Sequence, residues 1–190
     1  MVGGKIWMVL LLVASVMAGY GNGGNPATPA TAGQDALRTR LDNARDRLWV
    51  LGLDEVRVYD AAGKKLLRKV VLPNWSVARL ACMPDMVLDQ SGSATISSNV
   101  QSKLWRIDAD SFEVKEHPIS LSGREQWDTG FGALAFAADG TLFALTSSSG
   151  SLWRIDAGKG SARMVELNAA YLNVCDLTPQ ILNDIERKKP

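Results

Sequence analysis

The chain has 190 residues, of which 46% are hydrophobic, 22% charged and 7% aromatic. This composition is typical of a globular domain and excludes collagen-like, disordered and multi-span membrane proteins. Its 21 lysines and arginines nearly balance its 20 aspartates and glutamates, so there is no basic excess for a phosphate backbone, which argues against a nucleic-acid partner.

Residues 1–18 have the pattern of a signal peptide. Lys5 supplies a positive amino-terminal region, Ile6 to Ala14 an apolar stretch, and Val16-Met17-Ala18 a small-residue cleavage site. An uncleaved anchor is the alternative, but the apolar run falls short of the ~20 residues that a spanning helix needs. We expect cleavage after residue 18, a periplasmic or extracellular location, and no stable membrane anchor afterwards.

Residues 19–33 are rich in glycine, proline and threonine and contain almost no apolar side chain to bury. This composition predicts a disordered linker. The folded domain is therefore expected over residues 34–190.

The domain contains an internal repeat. Three segments align without gaps, and their aspartates stand 48 residues apart, twice: Val56–Ala61, Leu104–Ala109 and Leu152–Ala157, with Asp60, Asp108 and Asp156. A strand and a turn are predicted before each segment, at Leu48–Leu51, Ala94–Ser97 and Leu142–Leu145. A further strand is predicted after each, at Leu66–Leu72, Val114–Leu121 and Ala162–Leu167. One more strand opens each unit, most clearly at Gly132–Phe136, and helical spacing occurs only at Gln180–Lys189.

Four short antiparallel strands in a repeat of this length are typical of a β-propeller blade. The repeats span approximately residues 36–73, 76–121 and 130–168, with a partial repeat over 169–190. We therefore predict an all-β, β-propeller-like array of about three and a fraction four-stranded blades with a 48-residue period. A β-sandwich of the same strands is the alternative fold.

Two repeated residue types have structural interpretations. Trp105 and Trp153 alternate with arginine along their strands, so we expect the tryptophans to pack between neighbouring blades. Aspartate at a strand end accepts hydrogen bonds from the following turn. We expect that role for Asp60, Asp108 and Asp156 rather than metal ligation or catalysis.

The third repeat resembles a family of known proteins. Leu152–Ala157 with Gly158 and Gly160, preceded by Ala138–Phe143, is similar to a blade of the exported bacterial propellers of the YVTN, NHL and gluconolactonase-like group. Val56–Lys64 shows the same likeness. The resemblance implies a propeller fold, and a gluconolactonase-like member would hold calcium or zinc in its channel. No such ligand set is found in the sequence, so neither a metal site nor a cofactor is assigned.

The repeat count predicts how the domain associates. Closed propellers have at least four blades, and the sequence contains only three repeats and part of a fourth. A four-sheet ring with a short last blade, a three-blade arc that dimerises and a truncated relative of longer propellers all remain open. Because unpaired strand edges favour association, we expect a protein partner or self-association.

The two cysteines occupy matching places in the second and the partial fourth repeat. Cys82 and Cys175 are 93 residues apart, and an even cysteine number in an exported protein favours a disulfide. We predict an intramolecular bridge, with separate thiols or an intermolecular bond as alternatives.

A second aromatic series suggests a binding site. Trp75, Trp127 and Tyr171 each lie shortly before the first strand of a unit, where propeller loops gather at one mouth of the channel. They are expected to form a platform for a ligand or partner with the polar residues Arg79, Arg124 and Asp128. The alternative is that these aromatic rings are core residues between blades.

The sequence lacks the catalytic patterns H-E-x-x-H, Gly-x-Ser-x-Gly and the phosphate loop. It has one histidine, His117, so a histidine-based triad could use only that residue. No catalytic residue is assigned. We therefore expect an exported, non-enzymatic binding or assembly module of the propeller type. A metal-dependent lactonase-like hydrolase or a small-ligand-binding propeller is the alternative.

Overall fold

A computed structural model describes residues 35–79, 82–122, 130–166 and 175–187. The predicted signal peptide and linker lie outside these residues, so those two predictions stay predictions. Among the described residues, no helix has the length and apolar content that crossing a bilayer requires.

The described residues form three sheets, each built on four consecutive strands that pair antiparallel. The first sheet consists of β1 (Arg38–Asp42), β2 (Arg47–Leu51), β3 (Glu55–Asp60) and β4 (Leu66–Val71). The second consists of β5 (Met86–Leu88), β6 (Ala94–Ser97), β7 (Lys103–Ile107) and β8 (Val114–Pro118). The third sheet has five strands. They are β9 (Ser120–Leu121), which lies at its outer edge, and then β10 (Phe131–Phe136), β11 (Leu142–Thr146), β12 (Leu152–Asp156) and β13 (Ser161–Val165).

The second sheet is buried on both faces, as expected for a blade between two others. Trp105 and Ile107 of β7 pack in the apolar cluster shared with the first sheet. Leu104, which alternates with them, packs in the cluster shared with the third sheet. Trp105 and Trp153 are both fully buried. The predicted all-β, propeller-like array is confirmed, and the two-layer sandwich is excluded because three sheets pack in succession.

The strand predicted at Val114–Leu121 is divided in two. Pro118 has no backbone N–H for the ladder and is the last residue of β8, opposite Lys103. The chain then passes to the third sheet, where β9 pairs in parallel with β13. The Ser120 backbone N–H donates to the Gly160 carbonyl at 2.9 Å, so this connection joins the second sheet to the outer edge of the third.

The helix α1 (Pro179–Arg187) lies within the predicted partial repeat and includes most of the predicted Gln180–Lys189 helix. Leu182 of α1 and Leu177 just before it are buried against the third sheet. Thr178 precedes the helix, and its hydroxyl accepts the Ile181 backbone N–H at 3.3 Å, the geometry of an N-cap. In the described part of residues 169–190, the third sheet is therefore covered by a helix.

Candidate functional site

Two of the six residues predicted for the aromatic platform lie in the described parts of the chain. Trp75 is half-buried against the cluster between the first two sheets, and its indole N–H donates to the Ser97 carbonyl at 2.9 Å. Arg79 is exposed. The other four, Trp127, Tyr171, Arg124 and Asp128, lie outside the described residues, so the platform as a set stays a prediction.

The buried side chain of Asn99 holds the loop that contains Trp75 and Arg79 through hydrogen bonds. The Asn99 amide donates to the carbonyls of Ala78 at 2.7 Å and Cys82 at 2.9 Å, and its oxygen accepts the Ala78 N–H at 3.0 Å. Ser147, from the third sheet, donates its hydroxyl to the Asn99 carbonyl at 2.7 Å. This side of the molecule is therefore tied across the second and third sheets.

The predicted disulfide is present in the same region. Cys82 and Cys175 are bonded, with their Cα atoms 4.9 Å apart. The bond lies against Gly132 of β10, where an added Cβ would stand 2.6 Å from the Cys82 Cβ. A side chain at residue 132 is therefore incompatible with this packing.

Asp85 joins all three sheets and was not identified from the sequence. Its side chain is 7% exposed, and one carboxylate oxygen accepts from Arg38 at 3.2 Å and Arg40 at 2.9 Å, both on β1. That oxygen also accepts the Met86 backbone N–H at 2.8 Å, while the second oxygen accepts the Leu134 N–H of β10 at 3.0 Å. The contacts bind the innermost strands together, a structural role.

An open groove of about 810 Å³ lies beside the second and third sheets, at the end where the β10–β11 and β12–β13 turns lie. Acidic and basic side chains and the histidine line this groove. In chain order they are Asp89, Arg106, His117, Arg154, Asp156, Lys159 and Arg163. The volume is in the range of small-molecule sites.

One wall of the groove differs from the matching wall between the first and second sheets. Between the first and second sheets, the rings of Trp49 and Phe112 pack with centroids 5.9 Å apart. In the next repeat their positions are held by Thr95 and Gly160. Phe112 and Gly160 have the same left-handed backbone, with φ of 59° and 61°, so only the side chain differs. A Cβ on Gly160 would stand 2.9 Å from the Pro118 carbonyl oxygen, so of these two positions Thr95 is the one that lines the groove.

The charges in the groove are partly paired. Arg106 donates to Asp89 at 2.8 Å, and Lys159 lies 3.1 Å from Asp156. His117 lines the groove from β8, and its buried Nε2 has no hydrogen-bond partner among the described residues. The arrangement offers hydrogen-bond donors and positive charge to a ligand.

The repeat aspartates, Asp60, Asp108 and Asp156, organise turns in the structure. Asp60 accepts the backbone N–H groups of Lys64 and Lys65, and these bonds hold its pKa below the ordinary value. The backbone N–H groups that follow Asp108 lower its pKa in the same way. For Asp156, the Lys159 side chain is the first cause of the lowered pKa and the Lys159 backbone N–H the second.

These acids are held ionised, which does not suit a general acid near neutral pH. No group of three or more histidine, cysteine, aspartate or glutamate side chains in the described ranges is arranged to hold a metal ion.

Comparison with known proteins yields structural neighbours only. No protein-family model matches the chain, and no curated protein matches it. A catalytically inactive histidine-to-alanine variant of virginiamycin B lyase from Staphylococcus aureus, solved with quinupristin, matches with a TM-score of 0.52 and 15% identity over 75% of this chain and 44% of that one. A streptogramin B lyase structure matches with a TM-score of 0.50 and 12% identity, covering 76% and 43%.

Selenomethionine-substituted virginiamycin B lyase from the same organism gives a TM-score of 0.49 and 17% identity, covering 68% and 40%. The chain therefore spans less than half the length of these neighbours. At such identities the two matches with a TM-score of 0.50 or above support the propeller-like fold, and fold alone does not assign a function.

Proposed function

We propose that the chain is an exported, propeller-type binding and assembly module that acts by holding a protein partner, with a second copy of itself as the first candidate. The main support for this proposal comes from one face of the first sheet, the face that points away from the second sheet. Leu41 and Val71 on this face are 52% and 69% exposed, so the face presents apolar side chains to solvent.

The face has an apolar centre. Leu48, Val50 and Tyr59 form a buried cluster whose partly buried neighbour is Ala36, from the segment just before β1. Leu41 lies directly opposite Leu48 in the β1–β2 register, so an exposed leucine extends the buried centre towards the sheet edge. The three side chains of the cluster are at most 8% exposed, so the apolar surface that this face offers to a partner is that of Leu41 and Val71.

The same face is more polar than the interfaces between sheets. Arg57 stands at the repeat position that Trp105 and Trp153 occupy in the second and third sheets. Its guanidinium lies 3.5 Å from Glu55, which in turn lies 3.4 Å from Lys69. A face that carries both charge signs is compatible with a copy of itself across a two-fold axis. Its polarity favours a non-obligate partner over a permanently buried blade.

Export is the second part of the proposal. Its support is the signal-peptide pattern of residues 1–18 together with the Cys82–Cys175 disulfide, because disulfides persist in oxidising compartments. Membership of the exported bacterial propeller group, and a periplasmic or extracellular location, belong to this proposal.

The structural neighbours are lyases. An experiment on the function of this chain must therefore also measure catalytic turnover. In one neighbour a histidine-to-alanine variant is catalytically inactive. The histidine of this chain, His117, lies on the outermost strand of the second sheet, opposite Leu104. Asn74, the neighbour of Trp75, donates to Glu116 of the same strand at 3.2 Å, so a turnover measurement is what separates binding from a lyase-type activity.

The test is native mass spectrometry of the exported, unreduced protein, with Val71→Glu as the variant and Met164→Glu as the control. Met164 is a 38%-exposed side chain on the outer strand of the third sheet. We expect a wild-type dimer that Val71→Glu converts to a monomer and Met164→Glu does not, with equal melting temperatures. A wild-type monomer that carries a metal ion or small molecule, or turnover of quinupristin, would overturn the proposal.

A further inference from the structure

Two sheets carry basic residues directly opposite each other on their outer strands. In the second sheet Arg106 of β7 is paired with Lys115 of β8. In the third sheet Arg154 of β12 is paired with Arg163 of β13. Directly opposed side chains share a sheet face, and like charges in that arrangement are destabilising. Each pair therefore favours a nearby negative charge.

The second sheet supplies that charge itself. Asp89 follows β5, and its carboxylate accepts from the Arg106 guanidinium at 2.8 Å. The position of Asp89 is defined by its turn, since its N–H donates to the Ser93 carbonyl and its carbonyl accepts from Gly92.

The third sheet has the same turn without the acid. The Ala137 N–H donates to the Thr141 carbonyl, and the Ala137 carbonyl accepts from Gly140. Ala137 therefore occupies the place of Asp89, 48 residues later, and a methyl group stands where the second sheet has a carboxylate.

No carboxylate in the described ranges lies within salt-bridge distance of Arg154 or Arg163. Two acids of the third sheet have partners in their own turns. Asp156 is paired with Lys159 at 3.1 Å, and Asp139 accepts the Thr141 backbone N–H at 2.9 Å. This backbone hydrogen bond is the first cause of the lowered pKa of Asp139, and the charge of Arg154 is a smaller one that acts without a direct ion pair. Arg154 and Arg163 are both exposed, so their donors are available to solvent.

Both arginines lie in a concave setting. They line the groove of about 810 Å³ together with Arg106 and Lys159, so the local charge of the basic side chains exceeds that of the two acids, Asp89 and Asp156. A guanidinium presents a planar fork of donors that matches a carboxylate or a phosphate in a two-point contact.

We propose that Arg154 and Arg163 form a binding site for the carboxylate or phosphate group of a small soluble ligand, which occupies the groove and replaces the acid that Asp89 supplies in the second sheet. The site is independent of self-association, because it lies on the third sheet and the proposed dimer face lies on the first.

The test is an NMR titration of the arginine side-chain N–H signals with inorganic phosphate and, separately, with citrate at constant ionic strength. We expect saturable shifts at Arg154 and Arg163. Arg154→Gln and Arg163→Gln should each weaken binding about tenfold or more, the loss expected for one charged hydrogen-bonding partner. Arg187→Gln, which removes an exposed arginine of α1, is the matched control. Saturation by phosphate or by citrate alone identifies which of the two oxyanions the site takes.

A second variant tests the comparison between the sheets. Ala137→Asp places the acid of the second sheet beside Arg154, and we expect it to abolish binding while Arg154→Gln and Arg163→Gln keep the wild-type melting temperature. Absence of saturable binding of both probes, or equal weakening by Arg187→Gln and Arg154→Gln, would refute the proposal. A folded Ala137→Asp variant with wild-type affinity would refute it as well.

Discussion

Replacement of Asp85 by alanine should destabilise the fold far more than removal of an ordinary surface acid. The variant leaves the Met86 and Leu134 N–H groups without their acceptor, and each buried unpaired amide costs about 1–1.5 kcal/mol. The contacts to Arg38 and Arg40 add about 1–2 kcal/mol in total, a modest value because both arginine side chains remain about one-third exposed. We therefore expect a loss of about 3–5 kcal/mol.

The assay is urea unfolding of the oxidised protein, with Asp110→Ala as the control. Asp110 also pairs with an arginine, Arg45, at 3.3 Å, but its side chain is 78% exposed, so its removal should cost less than about 1 kcal/mol. Asp85→Asn should cost nearly as much as alanine, since its amide group replaces one of two oxygens that both accept hydrogen bonds. Equal stability losses for Asp85→Ala and Asp110→Ala would refute the assignment of Asp85 as the residue that joins the three sheets.

Three further predictions concern single features of the fold. Cys82→Ser and Cys175→Ser should each lower the free energy of unfolding by about 4–5 kcal/mol, because the bond closes a loop of 93 residues; denaturant titration should give the same loss for reduced wild type. The repeat aspartates have lowered pKa values, so their stabilisation is complete above the ordinary value of 3.8 and is lost as the pH falls through the lower folded-state values. Acid unfolding curves should therefore be flatter when all three are changed to asparagine, and unchanged slopes would contradict this. Phe112→Ala should lower the melting temperature more than Phe112→Gly, because both lose the ring against Trp49 but only glycine relieves the left-handed backbone.

The strands could be predicted from the sequence because each repeat contains the same local pattern. Alternation around Trp105 and Trp153 indicated which side chains are buried, and the turn after each repeat aspartate marked the strand ends. The β6 strand has the bounds that were predicted. Pairings within a sheet follow from neighbouring segments of chain, so local information is sufficient for them.

Asp85 could not be identified in this way because its partners are distant. Arg38, Arg40 and Leu134 lie 47, 45 and 49 residues from it, and nothing local marks these residues as neighbours. One wall of the groove could have been found by comparing repeat positions, since Thr95, which lines it, replaces the Trp49 ring of the first repeat. The pairing of β9 with β13 also joins separate repeats, and its sequence signal was only the position of Pro118.

The contacts of Asp85 also determine how the fold is lost. In a repeat array where each unit contacts only its neighbours, terminal units fray separately and unfolding spreads over several transitions. Here one carboxylate accepts from β1 of the first sheet and from β10 of the third, so detachment of either end breaks bonds at the centre of the array. We therefore expect the three sheets to unfold together, and hydrogen exchange at the inner strands to require global opening.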